Sequence, residues 1–550
     1  MPRTQRIAAL LALAGLATTV ACSDDGTATD DGVSTENGDG DGDGDDAGDN
    51  SGDGDGDDGM PTDLPEEDLG FDGVPAGGGI GIARVEFNQG VGVDVTTNGQ
   101  WLGPGDRLAP LAEGREAVVR VFWDIPTDWQ PREIEARLHL RAPDGTQLVR
   151  TFTKFIDGPP NPDDLANGSL GFFLEPEEMV GGMDFQISLW EVDGSSVTGD
   201  QFVTAAEGWN PLGVEIAPLE IKVVIVPIKV TEAANGCNSD TSDITDEQIE
   251  GFATWLDDFN PTQKVTVRKR ETFERVGAIS APNNFFSVLQ VLRLRDGADP
   301  NEYYYAIYND CGAGGGTAGA APGAQNVYPT KEAAAGRVAA GRWNGNNPSG
   351  GYSVFVHEIG HTQGREHSPC GAPGNYPANP DPNYPHAEGA IGQWGVNTRT
   401  LQQYEPESAF DYMGYCDPSW VSDYVWRKTW SQIRALTSWD YEYSAPAEPG
   451  HVLQGLLYAD GTEEWWTMPG NFAAPQTGED LLRVQTTDGE QLLLPASVRE
   501  SADNPDVRYV TVDLPAELDG GLDDLEHFEL VTQGVEIVPA SGSIAHDLSY

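Results

Sequence analysis

The segment HEIGHTQGREH, His357 to His367, constrains the fold more than any other stretch, because it holds three of the eight histidines in 550 residues at fixed spacings. His357 and His361 are four residues apart and follow the apolar run YSVFV. A helix through them places both imidazoles on one face, one turn apart, where two ring nitrogens can bind one metal ion at ~2.0–2.1 Å. Glu358, beside the first histidine, can reach a water at the metal without occupying the metal itself. Gly364 tolerates a positive φ, which ends the helix and turns the chain so that His367 returns as a third ligand. Any fold for this chain must therefore supply a helix, a tight turn after it, and room for three converging imidazoles.

The remaining sequence limits what such a site can serve. The formal net charge is −58, from 31 Lys and Arg against 89 Asp and Glu, and this excludes the clustered basic surface that nucleic acid requires. The opening MPRTQRIAALLALAGLATTVACS carries Arg3 and Arg6, an apolar run from Ile7 to about Leu16, and small residues up to Cys22. It reads as an export signal over residues 1–21, too short to span a ~30 Å hydrocarbon core as a helix of ~20 residues. TVAC resembles a bacterial lipobox, with Thr19 where that pattern prefers Leu; lipidation of Cys22 and ordinary cleavage after Ala21 both stay open. Residues 22–79 continue as an acidic tether of Asp, Gly, Ser, Thr and Asn, with no apolar set to bury. Asp39, Asp41 and Asp43 before Gly44 imitate the start of a calcium loop, but Asn50 stands where the bidentate Glu belongs. The expectation is an exported protein at the cell surface or outer membrane, or released outside the cell, touching the membrane through its lipid anchor only. With Cys22 assigned to lipid, Cys237, Cys311, Cys370 and Cys416 form an even set for two disulfides.

Beyond the tether, residues 80–210 alternate short β-rich runs with turns, as in IARVEFNQGVGVDV, AVVRVFWDI and EIEARLHLRAPDGTQLV. The spacing predicts an antiparallel β-sandwich. The pattern changes at PLEIKVVIVPIKV, a nearly continuous apolar strand of the kind buried on both faces. ITDEQIEGFATWLDDF follows, with a capping box at Thr245 and Gln248 and with Ile249, Phe252, Leu256 and Phe259 at helical spacing. KVTVRKRETF reads as a strand, NNFFSVLQVLRLR as a helix and YYYAIYND as another strand, an α/β pattern within residues 215–444. After the histidines, CGAPGNYPANPDPNYPHAEGAIGQWGVN predicts little regular structure, and WVSDYVWRKTWSQIRALTSW a helix. Residues 445–550 read as a small C-terminal β domain.

HExxHxxGxxH resembles the signature of the metzincin clan of zinc metalloendopeptidases, whose second mark is a downstream Met-turn. FDYMGYC, Phe410 to Cys416, matches that mark shortly before a long helix. The resemblance covers about Pro218 to Trp439 and looks closest to secreted bacterial metzincins of the mucin-degrading type. It implies a multidomain protein with an α/β catalytic domain, containing a mostly parallel five-stranded sheet, an active-site helix and an irregular lower lobe, flanked by all-β domains. It further implies zinc on His357, His361 and His367, Glu358 as general base, and Met413 as a hydrophobic floor beneath the imidazoles. Tyr415 either helps to bind zinc or stabilise the oxyanion, or is an aromatic packed beside the turn. GGGTAGAAPGAQNVY after Cys311 is either an edge strand that pairs with an extended substrate or a mobile Gly-rich loop. The strand order implied by the clan pairs Cys237 with Cys311, and the placement of the Met-turn pairs Cys370 with Cys416. The activity implied is that of a monomeric, surface-anchored zinc endopeptidase acting on a protein or glycoprotein. Two other readings compete: a surface adhesion or glycan-binding protein with a structural zinc, and a zinc amidase acting on cell-wall amides. Glu358 weighs against the first, since a structural site does not need that carboxylate.

Overall fold

In the computed structural model the strand β1, Glu220–Thr231, is the axis of the layer that carries the histidine helix. Val223 to Ile228 are buried without a break, as a strand covered on both faces requires. Residues 73–193, 209–231, 239–276, 282–309, 318–322, 329–371, 376–377, 379–441, 451–469, 480–500, 507–515, 518, 525–532 and 535–537 are described. Along β1 runs β2, Lys264–Lys269, in parallel, and beyond it β3, Phe273–Val276, pairs in parallel with the far half of the same strand. On the other side of β1 lies β4, Glu302–Tyr308, also parallel. The sheet closes with β5, Gly319–Ala320, at the edge, antiparallel to β6, Val338–Arg342, which itself runs parallel to β4.

Alternation along these strands divides the interior. Ile221, Val223 and Ile225 of β1, with Tyr303, Tyr305 and Ile307 of β4, join one hydrophobic cluster. Val224, Val226 and Ile228, with Tyr304, Ala306 and Tyr308, join another. Helices α1, Asp246–Phe259, and α3, Pro348–Thr362, belong to the first cluster, and α2, Phe286–Arg295, belongs to the second. α1 is capped reciprocally by Thr245 and Gln248 and buries Ile249, Phe252, Leu256 and Phe259, the four positions its helical period selects. Phe252 packs edge-on to Phe355 of α3 with ring centroids 4.8 Å apart, so the histidine helix is fixed against α1 by aromatic contact. A fourth helix, α4, Asp423–Ser438, closes the lobe below the histidines, its start capped by Ser422.

Ahead of this layer are two antiparallel sheets. The first has five strands in the order Gln100–Trp101, Gly92–Thr97, Gly81–Asn88, Ala117–Asp124 and Leu170–Leu174. The second has four: Asn210–Pro211, Asp184–Glu191, Arg132–Arg141 and Gln147–Ile156. The turn between the paired strands Gly81–Asn88 and Gly92–Thr97 reaches into the lower lobe. Asn88 Nδ2 and the Gly92 amide both donate to Trp394 O at 2.8 Å, and the Gly90 carbonyl accepts from Trp420 Nε1 at 2.7 Å. Arg115 donates to the carbonyls of Asp257 and Thr262 at the end of α1. Behind the layer, the strands between His451 and Ile537 form one seven-stranded antiparallel sheet.

This architecture corrects the fold class expected from the sequence. The described residues are mostly β, with 28 strands against four α-helices, and the antiparallel sheets of five, four and seven strands dominate. The sheet above the histidine helix has six strands, one of them antiparallel, and is not a five-stranded parallel α/β core. KVTVRKRETF reads as one strand, yet the ladder is interrupted at Arg270 to Thr272 and the run splits into β2 and β3, laid end to end along the twelve-residue β1. The apolar pattern marks where strands occur but not how they pair. The described residues from Gly73 onward belong to one compact unit.

Candidate metal centre

α3 starts at Pro348, a residue suited to the first helical turn, and ends at Thr362. Gly364 has φ 80°, its amide donates to His361 O, and the Arg365 amide donates to Gly360 O at 2.9 Å. The turn sends His367 back under the helix. The ligating atoms of His357, His361 and His367 all lie within 4.8 Å of one another.

Their orientation is set by the other ring nitrogen. His357 Nδ1 donates to Tyr412 O at 2.8 Å and His361 Nδ1 to Arg365 O at 2.6 Å. A carbonyl only accepts, so in both rings the proton is on Nδ1 and Nε2 carries the lone pair. Those two Nε2 atoms are 3.1 Å apart. Two lone pairs at that distance repel unless a cation lies between them, and the donor set suits a divalent transition-metal ion.

Below the rings, Met413 is fully buried. A Cβ on Gly360 would overlap its Sδ, so the glycine inside HEIGH is what lets the methionine close in. Asp411 holds this turn: its two carboxylate oxygens accept from the Met413 amide at 2.9 Å and the Ser422 amide at 2.8 Å. Burial pushes the Asp411 carboxyl up to about 6, and these hydrogen bonds oppose the rise. The loop carrying His367 is tied to the same turn by Ser368 N to Met413 O, by Tyr415 N to Cys370 O, and by a Cys370–Cys416 disulfide with Cα atoms 5.7 Å apart. The His367 carbonyl accepts from the Asp381 amide at 2.8 Å, and the Asp381 carboxylate pairs with Lys428 and accepts from Tyr424 Oη, both on α4. The Tyr415 hydroxyl lies 3.0 Å from His367 Nε2, within reach of anything bound there.

Glu358 is buried on the flank of α3 that faces the sheet edge. A Cβ on Gly319 would overlap its Oε1, so β5 passes directly over the carboxylate only because residue 319 is glycine. Within the Gly-rich segment after Cys311, then, Gly319–Ala320 are an edge strand. Tyr305 lies beneath; burial raises its phenol well above the usual range, and the Glu358 charge adds to the rise. Sequence reasoning passed over Tyr305, Gly319, Gly360 and Asp411. A signal for Asp411 exists in hindsight, since a carboxylate two residues before a buried turn residue is placed to accept its amide.

Cys237 and Cys311 lie outside the described residues, as do residues 1–21, Cys22 and the tether up to residue 72, whereas its expected last residues, 73–79, are packed onto the second sheet, with Ala76 buried and its amide donating to Leu189 O. No described helix is long and apolar enough to cross a membrane.

No protein-family model matches the chain, and no curated protein matches it. Among solved structures, a chain described as "putative beta-galactosidase from bacteroides fragilis" aligns over 84% of this chain and 72% of its own length, at 11% identity and a TM-score of 0.13. At that score the likeness bears on neither fold nor function.

Proposed function

We propose that the protein is an exported zinc-dependent endopeptidase that hydrolyses peptide bonds with Glu358 as general base. The observation that carries this reading is the convergence of His357, His361 and His367 on one point, with Glu358 buried beside them and not among them. The resemblance of HEIGHTQGREH and FDYMGYC to the metzincin signatures supports it. When bound, zinc supplies Lewis acidity toward a carbonyl oxygen and lowers the pKa of water towards ~7. The chain's own residues do the rest. The carbonyls of Tyr412 and Arg365 hold two imidazoles in the ligating tautomer, and the Cys370–Cys416 bridge ties the loop that carries His367 to the Met413 turn. Glu358 accepts the proton of the attacking water and returns it to the leaving amine. The Tyr415 hydroxyl donates to the oxygen on which negative charge develops, a role supported by its 3.0 Å approach to His367 Nε2. β5, the edge strand over Glu358, offers backbone groups to an extended protein or glycoprotein substrate. Signal-directed export, anchoring through Cys22 and action as a monomer belong to the same proposal.

The test is a pair of variants. Glu358→Ala should retain stoichiometric zinc by elemental analysis while peptide hydrolysis falls roughly 10²–10⁴-fold. His361→Ala should lose metal and activity together. Undiminished hydrolysis in metal-loaded Glu358→Ala would overturn the mechanism.

A further inference from the structure

On the flank of α3 turned away from Glu358 lies a cavity of about 650 Å³. It shares its inner wall with the metal centre. Val356, which lines it, precedes His357, and Tyr412, which also lines it, precedes Met413 and holds His357 through its carbonyl. At ~100° per residue, Ser349, Ser353 and Val356 form one stripe on the helix, with His357 roughly 70° around from it and Glu358 nearly opposite. The side chains of Val356 and Tyr412 therefore stand between the cavity and the histidines, and the two sites are neighbours through them.

The lining has a definite chemistry. Five of the sixteen lining residues are aromatic. Trp255 and Phe259 of α1 stack with an interplanar angle of 16°, and Tyr404 stacks on Trp420 with ring centroids 4.4 Å apart. Three charged groups border the cavity, and two of them cancel: Asp258 pairs with Arg399 and accepts from Asn397 Nδ2 at 3.0 Å. The third, Asp417, is exposed at the rim and has no ion-pair partner among the described residues. The uncompensated charge is thus negative, beside π-faces that attract cations, in a chain whose formal charge of −58 draws cations from a distance. The volume lies within the usual range of ~300–1,000 Å³ for a ligand pocket, ample for a long side chain.

We propose that this cavity is a specificity subsite that receives a lysine or arginine side chain of the substrate next to the scissile bond, with Asp417 as its counter-charge and the Trp255 ring as its wall. The proposal rests on the endopeptidase reading, and the experiment separates the two. Zinc-loaded Glu358→Ala is titrated with N-acetyl-arginine amide and with N-acetyl-norleucine amide, followed by tryptophan fluorescence. The arginine ligand should bind at least ~10-fold more tightly. Asp417→Asn, introduced in the same background, should remove that difference, and Trp255→Ala should weaken both ligands. In parallel, wild type is offered two peptides that differ only in a Lys or norleucine beside the cleaved bond. The ratio of kcat/KM values should be about 10 or more, and should fall to about 1 in Asp417→Asn. Equal binding of the two ligands, or a preference that survives Asp417→Asn, overturns the subsite. Hydrolysis without any preference for the basic peptide also defeats the subsite and leaves the endopeptidase. Selective arginine binding with no hydrolysis of any peptide keeps the cation site and defeats the endopeptidase.

Discussion

The two β units on either side of the histidine helix are joined to it in opposite ways. The front sandwich enters the lobe that holds the metal centre: its interior and that of α1, α3 and α4 form one hydrophobic cluster from Ala76 to Leu436, and its loop at Asn88 to Gly92 pairs with the backbone at Trp394 to Val396. The C-terminal sheet packs on the other side of β1. Leu456, Trp466, Val507 and Tyr509 join Phe286 and Leu289 of α2, and Gln290 donates to Tyr509 Oη at 2.6 Å while accepting from Trp466 Nε1 at 2.8 Å. The dividing surface is β1 itself, where residues of one parity face the histidines and those of the other face α2. Disturbance of the front unit should thus reach the metal centre, whereas disturbance of the rear unit should cost stability alone.

The largest effect is expected at Gly90. Its φ is 129°, and a Cβ there would come 2.9 Å from the buried Trp426 ring of α4. Gly90→Leu must strain the backbone or pull the residue 90 carbonyl away from Trp420 Nε1 and the Val396 amide, which both donate to it. A loss of ~3 kcal/mol or more by urea unfolding is expected, with peptide hydrolysis per folded molecule reduced at least ~10-fold. Full activity in the folded fraction would reduce the front sandwich to passive support and erase the contrast.

The rear counterpart is Tyr509→Ala. It removes a buried ring and leaves Gln290 without its phenol partner, for an expected loss of ~3 kcal/mol. Zinc content and kcat/KM, measured well below the unfolding transition, should stay within ~2-fold of wild type. A tenfold fall in kcat/KM would show that α2 transmits to the histidines through the sheet.

The same contrast explains what could be read from the sequence. The capping box of α1, its four buried positions and the positive φ of Gly364 were legible because each depends on residues within one or two turns of each other. The Cys370–Cys416 bridge was reachable only through the Met-turn resemblance, since spacing alone allows other pairings. The carbonyls of Tyr412 and Arg365 carry no residue-type signature, because every residue has a carbonyl. Gly319 and Gly360 act through a missing Cβ, visible only once Glu358 and Met413 are placed against them. The contact of Asn88 with Trp394 spans 306 positions, and nothing in either segment names the other. The fold class failed because the five-stranded parallel sheet was carried over from the clan resemblance, while apolar periodicity in this chain locates strands and leaves their partners open.

The smallest effect tests whether the front unit also responds to acid on its own. Its first sheet buries Arg120 and Glu86 with 3.7 Å between their charged atoms, and Arg84 reaches both Glu86 and Asp94 at 3.4 Å. Burial pushes the Asp94 carboxyl up to about 6; Arg84 pulls it down and Glu86 pushes it further up. A carboxyl that titrates higher in the folded chain than its usual ~3.9 keeps its proton better when folded, so stability present below pH ~4 is lost as pH rises to about 6. The shift alone corresponds to ~3 kcal/mol, but Asp94 retains 30% side-chain exposure, and water screening reduces the expected effect to about 1 kcal/mol. Asp94→Asn should therefore flatten the fall in unfolding free energy between pH 4 and 6 and raise stability at pH 7 by about that amount. Urea titrations of both proteins at pH 4, 5, 6 and 7 measure it. A variant that is less stable than wild type at pH 7 would mean that the Arg84 pair outweighs burial, and that the charged cluster holds the front sandwich together at neutral pH.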